Sequence, residues 1–157
     1  MSKPKKTVYW DTCVFLYWLR GDSSISVDEK QGMEETVRKL DQGKITLVTS
    51  VITLTEISLT TVTNDQREKL LKIYDDPRCP IVSVTRRIAD LAHNITLFHR
   101  KTGISLTAMD AMHLATAIYC NADEFHTFDG PLLSLSGNVG GHRLIVCKPS
   151  AEEPSLL

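Results

Sequence analysis

The feature that most constrains the fold is an alternation. Short runs rich in β-branched and aromatic residues recur between longer segments with helical spacing of apolar residues. The runs are residues 7–10 (TVYW), 44–50 (KITLVTS), 80–84 (PIVSV), 124–128 (EFHTF) and 143–147 (RLIVC). Helices are expected over 14–20, 27–41, 51–62, 65–76, 85–103 and 106–121, with Gly21, Gly43 and Gly103 as stops and Thr85 and Thr107 as caps. Strands joined through helices pair in parallel, and right-handed crossovers cover such a sheet on both faces. The fold class is therefore α/β, a three-layer α/β/α arrangement around a mostly parallel sheet of four to five strands. A chain of 157 residues, 42% of them hydrophobic, supports one such domain. Its expected extent is 1–148, with 149–157 (PSAEEPSLL) a flexible C-terminal tail.

The formal charge of −1 gives no long-range attraction to a polyanion, so any nucleic-acid contact must come from local basic clusters. Lys3, Lys5 and Lys6, the pair Arg86–Arg87 and the pair Arg100–Lys101 are available, and each also fits a solvated surface. The four cysteines are scattered without a C-x₂-C pair, which signals neither a zinc site nor a disulfide framework and suits a reducing compartment. Asp11 and Arg20 interrupt the first apolar stretch, so it reads as neither signal peptide nor membrane span. A cytoplasmic protein with no membrane partner is expected.

The first strand run stops on Asp11, a residue depleted in strands and costly to bury unpaired. In an open parallel sheet, ligands bind outside the carboxyl ends of the strands. Three further acids fall on that edge: Glu56 in the first turns of its helix, Asp110 near the start of another, and Asp129 directly after the fourth strand. Each has a local reading. Asp11 suits a cap for the helix at Val14, Thr53 with Glu56 and Thr107 with Asp110 match a capping box, and Asp129–Gly130 suits a turn. Taken together they repel, and a divalent cation is what reconciles them. Oxygen-only ligands select a hard ion, Mg²⁺ or Mn²⁺, whose bound water can be deprotonated to attack a phosphodiester.

The segments YWDTCVF, TSVITLTEI, MDAMHLATA and TFDGPL, in this order, resemble the PIN-domain ribonucleases, in particular the VapC-type toxins of toxin–antitoxin pairs. The resemblance covers about residues 7–147. It implies metal coordination and water activation by Asp11, Glu56, Asp110 and Asp129, with Thr127 as the hydroxyl beside the last acid and Thr12 as a second supporting hydroxyl. Cys13 departs from the pattern, since many relatives carry Asn or Ser there. The implied activity is metal-dependent endoribonucleolysis, with an RNA substrate, a cognate antitoxin and a homodimer as partners. Other readings are a housekeeping RNA-processing nuclease of the same fold, a haloacid-dehalogenase-like phosphatase and a PIN fold without catalysis. The phosphatase motif requires a second Asp where Cys13 stands, and the four acids argue against a non-catalytic module.

His113, three residues after Asp110, shares its helix face and is expected to pack on the sheet rather than bind metal. The helix at 14–20 is apolar nearly all round. Such a helix is either wholly buried or meets another chain. Phe15, Tyr17 and Trp18 are its candidate partner-binding residues, since the resemblance implies an antitoxin groove lined by early helices.

Overall fold

The computed structural model describes residues 4–58 and 61–151. In chain order the elements are β1 (Lys6–Trp10), α1 (Thr12–Arg20), α2 (Val27–Asp41), β2 (Ile45–Ser50), α3 (Ile52–Ser58) and α4 (Asn64–Tyr74). There follow β3 (Ile81–Val82), α5 (Arg86–Arg100), α6 (Ala108–Tyr119), β4 (Glu124–His126), α7 (Gly130–Leu133) and β5 (Ile145–Cys147). The strands form one sheet in the order β3-β2-β1-β4-β5, every neighbouring pair parallel. This is the expected α/β/α class with five strands among the described residues.

Alternation along β1 divides the core. Tyr9 joins Val48, Phe125 and Val146 on the face packed by Ile88, Ala92 and Ile95 of α5 and by Ala111, Leu114 and Ala115 of α6. Val8 and Trp10 turn to the opposite face, where they meet Val14 and Phe15 of α1, Met33 and Leu40 of α2, and Leu70 and Ile73 of α4. A strand whose residues are buried on both faces explains why TVYW reads as a continuous apolar run.

The helix boundaries follow local chemistry. Ser26 and Glu29 close a reciprocal capping box on α2, and Thr63 and Gln66 do so on α4. Gly21 ends α1 in the left-handed region, with φ 65°, and its N–H bonds to the Tyr17 carbonyl. β3 keeps only two of the five expected residues. The short helix α7 occupies what reads in sequence as a turn, because Asp129 caps it and Pro131 enters its first turn.

Pro149–Ala151, expected to begin a tail, lie on α2. A Cβ on Gly32 would come within 2.3 Å of the Ser150 backbone nitrogen, so glycine is what permits this approach. Asp28 accepts hydrogen bonds from Ser150 Oγ at 2.9 Å and from Ala151 N at 3.3 Å. Residues 152–157 of the expected tail, Lys3 of the basic N-terminus, and residues 59–60 of the helix expected over 51–62 lie outside the described residues. No helix among the described residues is long and apolar enough to cross a membrane.

Candidate active site

Three of the sequence-selected acids, Asp11, Asp110 and Asp129, stand where a helix begins, and Glu56 lies in the second half of α3. Asp11 caps α1, as its local reading had it, with its second oxygen engaged by Thr127, whereas Asp129 caps α7 instead of standing in a turn. The capping-box reading of Glu56 does not hold. Thr53 lies inside α3 and bonds Thr49 at 2.8 Å, and Glu56 turns away to other partners. Thr107 caps α6 and accepts from the Asp110 N–H at 3.1 Å, and its side chain also bonds the Asp110 carboxyl, opposing the effect of burial on it.

Two threonines bridge the acids. Thr127 Oγ1 donates to Asp11 Oδ2 at 2.9 Å and accepts from the Asp129 N–H at 3.1 Å, linking β4 to the end of β1. Thr12 Oγ1 donates to Glu56 Oε1 at 2.8 Å, while its N–H donates to Asp11 Oδ1 at 2.9 Å. Cys13 Sγ lies 3.6 Å from Asp11 Oδ2 and 3.5 Å from Thr127 Oγ1. Burial, and then the Asp11 charge, push its thiol up to about 12, so it stays protonated and donates weakly. The residue that departs from the family pattern thus still touches the first acid.

The electrostatics separate the carboxyls. The hydrogen bond from His113, joined by that from Thr12 and opposed by burial, holds Glu56 below the ordinary carboxylate range. Burial, then the charges of Asp11 and Asp129, push Asp110 above it. No three of the four acids bring carboxylate oxygens within 4.8 Å of one another among the described residues. Like charges resist closer approach, and the threonines and His113 stand between them.

A different trio, Glu124, His126 and Cys147, does place potential ligand atoms within 4.8 Å. Its charges are already matched. Glu124 accepts from His126 Nε2 at 2.8 Å and pairs with Lys6 Nζ at 2.5 Å, contacts that lower its carboxyl to about 2. Burial and then Glu124 raise the Cys147 thiol to about 11. A protonated thiol beside a lysine ammonium suits an ion-paired patch, whereas the four acids offer only hard oxygen donors. Oxygen donors of this kind suit a hard divalent ion, and burial together with the neighbouring charges makes the ionised Asp110 carboxylate one that such an ion would relieve.

His113 was expected to pack on the sheet, and it is buried, at 1% exposure, but it also enters the site. Its Nε2 is 2.5 Å from Glu56 Oε1 and 3.6 Å from Asp11 Oδ1, and its Nδ1 is 2.5 Å from the Tyr9 hydroxyl. The three-residue spacing from Asp110 was the available signal. Phe15, expected as a partner contact, is wholly buried and packs edge-on against Trp10 with centroids 5.0 Å apart, so it is a core residue. Tyr17 and Trp18 are half-buried and line an open cavity of about 430 Å³ between α1, α2 and α4, with Arg20, Lys30, Glu34 and Lys69 around it.

Asp110→Asn tests the charge account directly. It removes a carboxylate whose ionised form is disfavoured in the fold, so the metal-free variant is expected to melt higher than wild type. With solvent screening at a half-exposed group, the gain is at most about 1 kcal/mol, or roughly 2–4 °C. The raised carboxyl penalises stability above its own titration and releases that penalty as pH falls through it. The difference in melting temperature between variant and wild type should therefore shrink on acidification. Melting curves in EDTA across acidic pH check this.

The PIN domain profile matches residues 8–136. Among curated proteins, none matches the sequence. Among solved structures, VapBC2 from Rickettsia felis bound to a promoter DNA fragment is 14% identical with a TM-score of 0.66, covering 89% of this chain and 98% of that one. FitAcB from Neisseria gonorrhoeae is 18% identical with a TM-score of 0.60, covering 90% and 97%. VapBC-5 from Mycobacterium tuberculosis, a member of a toxin–antitoxin family, is 18% identical with a TM-score of 0.56, covering 90% and 98%.

Proposed function

The chain belongs to the PIN-domain family, and from that premise we propose that it is a Mg²⁺- or Mn²⁺-dependent endoribonuclease, the toxin of a VapBC-type pair. The observation that carries the reading is the grouping of buried Asp11 with half-buried Asp110 and Asp129, whose charges oppose ionisation of Asp110, and which Glu56 joins through Thr12 and His113. These four residues would hold the ion, which supplies a lowered pKa for water and charge for the phosphodiester transition state. The chain itself supplies orientation. Thr127 aligns the carboxylate of Asp11 with the backbone before Asp129, and Thr12 does the same between Asp11 and Glu56. The N-termini of α1 and α6 add favourable dipoles for clustered negative charge.

For the partner, the cavity beside Tyr17 and Trp18 supports an antitoxin segment, since an aromatic floor ringed by charges of both signs suits a peptide with mixed character. The likeness in fold to VapBC-5, a toxin–antitoxin family member, supports the same assignment. A homodimer and a domain extending over 1–148 complete the proposal.

Incubating the purified protein with total RNA in Mn²⁺, Mg²⁺ or EDTA, and mapping new ends, tests the activity. Cleavage is expected with either ion and none in EDTA. Undiminished cleavage in EDTA would overturn the mechanism.

A further inference from the structure

We infer that His113 is a positioning residue of the acidic centre, tethering Glu56 by Oε1 so that Oε2 is the oxygen left to serve as a metal donor. This rests on the metal-centre reading above. The argument begins with the ring's two nitrogens. An ionised carboxylate can only accept, so the proton shared with Glu56 Oε1 at 2.5 Å belongs to Nε2. In the neutral ring Nδ1 then accepts, and the Tyr9 hydroxyl donates to it at 2.5 Å. This tautomer is assigned from the hydrogen-bond network.

The tether is rigid at its base. Tyr9 is wholly buried in the central strand and stacks on Phe125 at 5.0 Å and 7°. Burial, and then the Asp11 charge, keep its hydroxyl protonated. Glu56, by contrast, is a long side chain on a seven-residue helix, with 28% of that side chain exposed. Left alone it would lose rotamer freedom on binding an ion. Thr12 Oγ1 donates to the same Oε1 at 2.8 Å, so two donors converge on one oxygen. A histidine present only for packing needs no such alignment. Because His113 and Asp110 share a helix face, α6 delivers one acid and the support for another.

Two polar substitutions separate position from packing. The amide nitrogen of His113→Gln falls near the site of Nε2, and that of His113→Asn near Nδ1, which does not reach Glu56. Mn²⁺ alone is titrated calorimetrically into the wild type and both variants, with melting in EDTA as the check on folding. His113→Asn is expected to bind Mn²⁺ about tenfold more weakly or worse, the usual cost of losing an outer contact to a metal ligand, while His113→Gln stays near wild type. Equal affinity in all three proteins overturns the inference, and so does a Gln variant as weak as the Asn variant. If His113→Asn does not fold, Tyr9→Phe carries the test, and affinity equal to wild type in that variant overturns it. Wild type that binds no Mn²⁺ overturns the metal-centre reading itself.

Discussion

Asp11→Asn is expected to leave a folded protein that cleaves RNA at least about a hundredfold more slowly, beyond what loss of an outer contact in a metal centre typically costs. The fold should survive because asparagine is as good a helix cap as aspartate, and its side-chain oxygen can still accept from the Thr12 N–H. The Thr127 hydroxyl can rotate to accept from the new amide where it now donates to Oδ2. What disappears is the charge, and with it the central member of the acidic group. Cleavage assays in Mn²⁺, read beside thermal melting in EDTA, measure both halves. A variant that cleaved at the wild-type rate would make the cluster structural only.

The second large effect separates core from groove within one helix. Phe15 is wholly buried between Trp10 and Tyr74, at 5.0 and 5.8 Å between ring centroids, so Phe15→Ala leaves a cavity that its neighbours fill poorly. A cost of about 3–5 kcal/mol follows, or roughly 6–20 °C in melting temperature. Trp18 sits on the same helix but lines the cavity, its ring edge against Trp10 at 6.2 Å and the Lys69 ammonium 4.0 Å from its centroid. Trp18→Ala should cost the fold less than Phe15→Ala and weaken antitoxin binding by about 2 kcal/mol or more. Melting of both variants, with size exclusion of Trp18→Ala mixed with the cognate antitoxin, gives the comparison. A Trp18 variant that melts as low as Phe15→Ala and binds normally would remove the groove assignment.

The contrast between these two residues shows what sequence carries and what it does not. Helix α2 is legible end to end because a clear apolar spacing and the Gly43 stop mark it locally. The all-round apolar character of α1 announces burial, but which side is core depends on where α4 and α2 lie, and spacing within nine residues holds no trace of them. The four acids are legible as a group because the parallel sheet gathers strand ends at one edge. The role of His113 is not, since its partners Tyr9 and Glu56 are 104 and 57 residues away in sequence. α7 hides behind Asp129–Gly130 for a simpler reason: four residues are too few to display a helical period.

The sheet order also has a consequence for synthesis. β1 is made first but lies in the middle of the sheet, with β2 on one side and β4 on the other. Asp11 receives its hydrogen bond from Thr127, 116 residues later, and its own N–H donates to the His126 carbonyl. A chain emerging from the ribosome therefore carries its first acid long before the strand that orients it, and such distant closures form slowly. Products terminated before β4 have no means of assembling the centre. If the chain cleaves RNA as proposed, the order of translation would itself delay that activity until β4 has been made, leaving an interval in which α1 and α2 are already exposed to a partner.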